Sequence, residues 1–185
     1  RYYECKHGVP GTPFIDPDHP RDALKIGREE IEHYAPDSGA TAYVGVDVAE
    51  GTATGDESAY EVLADDGLEI DADSGRWPVD LLVERAAECL DHLERDGLRI
   101  APVGYEANGL GLAFAFAARN SERWRWRLVS SKPKHRHRRK GLFATGGRHG
   151  TKLQWWCAVE QDLREGIVRL TSAKTAGQLE RVQAD

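Results

Sequence analysis

The chain has 185 residues and a mass of 20.5 kDa, with 40% of residues apolar and 30% charged, a size that fits one domain with a core of its own. No apolar run reaches the roughly 18 residues of a membrane span, no basic-then-apolar leader opens the chain, and Cys5, Cys89 and Cys157 lie too far apart for a zinc ribbon or a disulfide framework, which favours a reducing compartment. The net charge of −6 hides a split: residues 1–118 hold 9 basic and 25 acidic groups (−16), and residues 119–185 hold 16 and 6 (+10), so one face suits metal or solvent and another a polyanion.

Arginine outnumbers lysine 18 to 7, a bias of GC-rich genomes or high-salt hosts, and the chain lacks methionine and begins at Arg1, as expected for part of a longer polypeptide. Residues 1–40 contain five of the eight prolines and read as an arm or linker with one short helix near Ala23–Tyr34. The compact domain is expected over residues 41–185.

Thr41–Val48 reads as a buried strand, followed by a Gly/Thr turn and strands at Ser58–Ala64 and Leu68–Asp71. Val79, Leu82, Val83, Ala86, Leu90 and Leu93 then recur at helical spacing, and Gly97 closes that helix. Val103–Glu106 is a strand, Gly109–Ala118 a small-residue helix, and Trp124–Val129 an alternating strand. Thr151 with Gln154 opens a helix ended by Gly166, Ile167–Leu170 is a short strand, and Lys174–Gln183 is helical. The order implies a mixed α/β sheet with helices on its faces.

Asp47 stands among valines in the first strand, where an unpaired buried charge needs compensation such as a divalent cation. Glu106 ends the strand VGYE; parallel pairing with the first strand brings the two carboxylates together at the carboxyl ends. Their plainer roles are a turn cap and a helix-dipole partner. Asp56 sits nine residues after Asp47, across a turn that returns it to the same end.

Residues 119–140 hold ten Lys/Arg and one acid. Strand alternation puts Trp124, Trp126 and Leu128 on one face and Arg125 and Arg127 on the other. Lys132, Lys134, Arg136, Arg138, Arg139 and Lys140 follow as a loop suited to a phosphate backbone, and Lys152 can meet an anion at its helix start. GLFATGGRHGTK (141–152) does not fit the P-loop pattern, which argues against nucleotide binding of that kind.

Taken together, YVGVDVAEGTATGDESAYEVL (43–63), GYEANGLG (104–111) and GLFATGGRHGTK (141–152), followed by a helix and EGIVRL (165–170), resemble the nuclease domain of the large terminase subunit of tailed double-stranded DNA viruses. The resemblance covers roughly residues 41–185. It implies an RNase H-like mixed sheet of about five main strands, the second antiparallel, with flanking helices. It further implies a metal-dependent endonuclease cutting concatemeric double-stranded DNA during packaging, with Asp47 and Glu106 as catalytic metal ligands, Asp56 as an auxiliary acid, and two Mg²⁺ or Mn²⁺ ions. The family's third acid follows the final strand, and no residue here matches it. The implied partners are double-stranded DNA, an upstream packaging ATPase domain of the same polypeptide, the portal and the small terminase subunit, with no membrane. The implied location is the host cytoplasm, transiently on the procapsid. A junction resolvase or transposase core, or a non-catalytic DNA-binding or docking module, are the alternatives.

Overall fold

The computed structural model describes residues 13–36, 39–52, 54–106, 109–124, 127–128, 142–143 and 151–182, with Glu106, Gly109, Leu142, Phe143 and residues 151–155 described by their backbone only. The chain is mixed α/β and divides into two compact units. One comprises Pro36–Asp65 and Asp71–Ala144; the other comprises Arg1–Ala35, Asp66–Ile70 and Thr145–Asp185. Among the described residues no helix is long and apolar enough to cross a membrane.

The first unit is built on a mixed sheet. Its strands are β1 (Thr41–Asp47), β2 (Ser58–Ala64), β3 (Glu69–Gly75, whose first two residues belong to the other unit), β4 (Arg99–Ile100), β5 (Gly104–Glu106) and β6 (Leu142–Phe143). The main path runs β3-β2-β1-β5-β6, and β4 also pairs with β1. β1 is antiparallel to β2 and parallel to β4 and β5, and β5 is parallel to β6. The connection between β2 and β3 is too short for a parallel crossover, so it makes a hairpin.

Period-2 patterning fixes the register. Ala42, Val44 and Val46 of β1 are buried and lie opposite Ala64, Val62 and Tyr60 of β2, which are also buried; a one-residue slip would turn all of them to the other face. Helix α2 (Val79–Arg95) buries Leu82, Val83, Ala86, Ala87, Cys89 and Leu90, a stripe at spacings of three and four. Helix α3 (Gly109–Asn120) adds Phe114, Ala115 and Ala118. The Phe114 ring meets Trp124 edge-on at 5.3 Å and Tyr105 at 5.9 Å, geometry that aromatic quadrupoles favour.

The described residues of the strand expected at Trp124–Val129, namely Trp124, Arg127 and Leu128, belong to no regular strand. A 3-10 turn occupies Glu122–Trp124, and only an isolated parallel bridge joins Leu128 to Val103. The cause is tertiary: the fully buried Trp124 donates its indole N–H to the Val83 carbonyl at 3.0 Å. That bond satisfies the indole N–H of a fully buried side chain. β4 and β6, each two residues long, are additions to the expected strands.

The second unit packs α1 (Asp18–Ile31), α4 (Thr151–Arg164) and α5 (Ala173–Leu179) around Ile15, Ala23, Leu163, Leu170 and Ala176, with Trp156 and Val159 packed alongside. Ile15 and Ala23 lie within the stretch read as an arm, yet both are buried here. Burying a side chain such as Ile15 contributes about 1.5–3 kcal/mol. Gly27 of α1 allows close approach, because a Cβ there would collide with the Leu170 carbonyl. The expected strand Ile167–Leu170 is reduced to one parallel bridge between Arg169 and Leu68. Cys157 of α4 is disulfide-bonded, against the expectation from cysteine spacing, while Cys89 is a free buried thiol.

Glu69 is fully buried. Its Oε2 accepts from the backbone N–H groups of Thr171 (2.6 Å) and Ser172 (2.7 Å) and from the Thr171 hydroxyl (3.3 Å), and its Oε1 accepts from the Thr175 hydroxyl at 2.8 Å. These donors compensate a carboxylate that would otherwise be costly to bury.

Candidate functional site

β1 and β5 run side by side in the same direction, with Gly45 level with Gly104 and Val46 level with Tyr105. Asp47 is the last residue of β1 and Glu106 the last of β5, so both strands end together at their carboxyl ends. That is where open α/β sheets place ligand sites. Glu106 is also level with Phe143 of β6.

Asp47 is exposed. This corrects the expectation of a buried charge needing compensation: Val44 and Val46 point inward, and strand alternation turns Asp47 outward between them and the loop. Nothing about its burial therefore demands a cation; its position at the strand end carries the argument.

The loop between β1 and β2 brings the chain back beside Asp47. Asp47 is level with Ala59, and Asp56 is exposed just before β2 begins. Ser58, fully buried, closes the loop: its Oγ accepts from the Ala49 N–H at 3.0 Å and donates to the Ala49 carbonyl at 3.4 Å. The serine of Asp-x-Ser-Ala is thus a clasp two residues from Asp56.

The segment between β3 and α2 braces the same loop. Gly51 has φ of 66°, and a Cβ there would lie 2.5 Å from the Trp77 carbonyl oxygen, so only glycine fits without strain. Arg76 donates Nε–H to the Gly55 carbonyl at 3.2 Å, and the Ser74 hydroxyl donates to Glu57 Oε2 at 3.3 Å. The Arg85 guanidinium lies 4.8 Å above the Trp77 ring and 3.3 Å from Asp73, which holds the indole in place.

Among the described residues no group of three His, Cys, Asp or Glu gathers as metal ligands. Asp47 and Asp56 are exposed carboxylates on a braced turn. Hard oxygen donors of this kind fit Mg²⁺ or Mn²⁺, ions that keep several waters and draw further ligands from a phosphate.

The basic positions divide. Arg125, Lys132, Lys134, Arg136, Arg138, Arg139 and Lys140 lie outside the described residues, and Lys152 is placed by its backbone in the first turn of α4. Arg127 does not stand on a phosphate-facing strand. Its Nη2 pairs with Asp91 Oδ1 at 2.8 Å and Glu94 Oε2 at 2.5 Å, both on α2, and its side chain is 11% exposed. Burial opposes its charge, but the bonds to Glu94 and Asp91 outweigh burial and hold its pKa above the ordinary value. Arg123 pairs with the same Asp91 at 2.6 Å and with Glu84 at 2.9 Å. Burial pushes Asp91 up, and the two guanidiniums overcome it, leaving the carboxyl below its usual range.

Three residues escape sequence reasoning: Arg76, Asp91 and Glu69. Asp91 and Glu94 sit three apart on the polar side of α2, a spacing that marks one helix face. No sequence pattern marks Arg76 or Glu69. Compared with known protein families and with curated proteins, the chain matches none.

Proposed function

We propose that this chain is the RNase H-like, metal-dependent endonuclease domain of a large terminase subunit, cutting concatemeric double-stranded DNA during genome packaging. One observation carries the reading: Asp47 and Glu106 close two neighbouring parallel strands at the same end. The five-strand path with its second strand antiparallel also supports it.

Asp47 and Glu106 would hold Mg²⁺ or Mn²⁺, with Asp56 as an auxiliary acid. Bound there, a pair of such ions supplies an activated water and charge stabilisation for the leaving 3′ oxygen. Ser58 and the brace at residues 74–77 keep the Asp47–Asp56 turn in one conformation, so little ordering is required when substrate arrives. The basic positions of segment 119–140 other than Arg123 and Arg127, which pair with acids of α2, would hold the duplex by its phosphates, giving weak sequence preference and steep salt dependence. On this reading the further partners are an upstream packaging ATPase of the same polypeptide, the portal and the small terminase subunit, within the host cytoplasm.

The test is supercoiled plasmid incubated with the chain and Mn²⁺, beside an EDTA control and the Asp47→Asn variant. Nicking or linearisation lost in both controls is expected. Undiminished cleavage by Asp47→Asn would overturn the assignment.

A further inference from the structure

We propose that Arg76 binds a DNA backbone phosphate beside the Asp47–Asp56 turn, a contact outside the basic segment; this rests on the nucleic-acid reading of the same site. Arg76 is exposed and held by one bond, from Nε to the Gly55 carbonyl, the residue next to Asp56. That bond uses none of its terminal nitrogens. Among the described residues no carboxylate pairs with Arg76, although it stands in the part of the chain with 25 acids against 9 bases. Arg28, Arg95 and Arg99 also bond a carbonyl or a hydroxyl rather than a carboxylate; what sets Arg76 apart is its place, bonded to the residue next to Asp56.

The bond to the Gly55 carbonyl holds the Arg76 side chain at the Asp47–Asp56 loop. Gly51 against Trp77, and Ser74 with Glu57, fix that loop to the same short segment. The guanidinium is therefore preorganised, its two terminal amino groups left as a fork that matches phosphate oxygens. A polyanion approaching Asp47 meets repulsion from carboxylates, and a fixed positive group beside Asp56 offsets it. The ligand class is a phosphodiester backbone, held without sequence preference.

A purely mechanical role for Arg76, bracing the loop, would alter cleavage without changing the number of phosphates neutralised. Salt dependence separates the two. Fluorescence anisotropy of labelled duplex DNA with the whole chain, in EDTA and over a series of NaCl concentrations, gives the slope of log K against log salt. Arg76→Gln should lower that slope by about 0.9, one phosphate contact, with thermal unfolding unchanged. Arg76→Lys should restore the slope, and Arg95→Gln, elsewhere on the same unit, should leave it unchanged. An unaltered slope in Arg76→Gln, or an equal loss in Arg95→Gln, would overturn the inference while leaving the nuclease reading in place. Failure of the unaltered chain to bind duplex DNA would overturn both.

Discussion

Asp91 and Arg127 lie 2.8 Å apart, joining the C-terminal half of α2 to a residue three beyond Trp124. Glu94 and Arg123 extend the pair into a network in which Asp91 serves two guanidiniums. A basic residue that sequence alternation offers to DNA is thereby committed to the fold. Arg127→Ala should cost about 1–3 kcal/mol, because Asp91 and Glu94 lose a partner while remaining partly exposed. Urea denaturation measures that cost. The salt slope of DNA binding should not move, and a slope reduced by about one contact would restore Arg127 to the DNA-binding set.

Glu69 tests the second unit. Its two oxygens take four hydrogen bonds from Thr171, Ser172 and Thr175. Glu69→Gln can keep one oxygen toward the Thr171 and Ser172 N–H groups and its NH₂ toward the Thr175 hydroxyl, which can accept, but it loses the charge that strengthens these bonds and should destabilise by about 1–3 kcal/mol. Thr175→Val removes one donor and should cost about 1 kcal/mol. Equal stability of Glu69→Gln and the parent chain in chemical denaturation would contradict this account of the buried acid.

Gly51 and Gly39 offer a matched comparison. Both have positive φ, 66° and 89°, but a Cβ on Gly39 meets nothing within 4 Å whereas one on Gly51 meets the Trp77 backbone. Gly39→Ala should cost about 1 kcal/mol for conformation alone. Gly51→Ala should cost more and should also reduce metal-dependent cleavage, since the turn carrying Asp56 must shift. Plasmid cleavage that is unaffected in Gly51→Ala would detach that turn from the chemistry.

The alkaline limb of stability should report Cys89. Burial, then a hydrogen bond to Asp71, raises its thiol well above the ordinary value of 9.0. The unfolded chain thus ionises first as pH rises, so this contribution is complete below about pH 9 and is lost progressively above it. Burial followed by the Asp71 charge raises Tyr60 likewise, which adds a loss beginning near pH 10. Unfolding midpoints from about pH 8 to about pH 10 should fall for the parent chain and fall less steeply for Cys89→Ala. Parallel curves would remove Cys89 as the source.

Periodicity made β1, β2, α2, α3 and α4 legible, and Gly97 and Gly166 mark helix ends as expected, with φ of 91° and 67°. Where reading fails, long-range partners decide. Trp124 is drawn into a turn by the Val83 carbonyl, 41 residues away, and no local pattern announces that bond. β6 is two residues in a glycine-rich stretch, below the length at which alternation is visible. In the candidate site, the order of Asp47, Asp56 and Glu106 was readable, as was the parallel pairing of the two strands that end in Asp47 and Glu106. The outward phase of Asp47 was not, because valines on both sides of it fit either face. Arg76 was invisible for a different reason: its part in the loop depends on Gly55, 21 residues distant and in another element.

The unit of α1, α4 and α5 draws on residues far apart in the chain, which bears on the order in which the protein is made. Ile15 and Ala23 share their core with Leu163, Leu170 and Ala176, so α1 leaves the ribosome long before its packing partners exist. All segments of the sheet-bearing unit lie between Pro36 and Ala144 and can assemble meanwhile. During that interval the apolar side of α1 has no native cover, a state open to chaperones and proteases. Contacts of such long sequence separation also slow closure. Arrest at successive chain lengths should therefore show protease resistance appearing first over β1, β2, α2 and α3, and over α1 only after α5 has emerged.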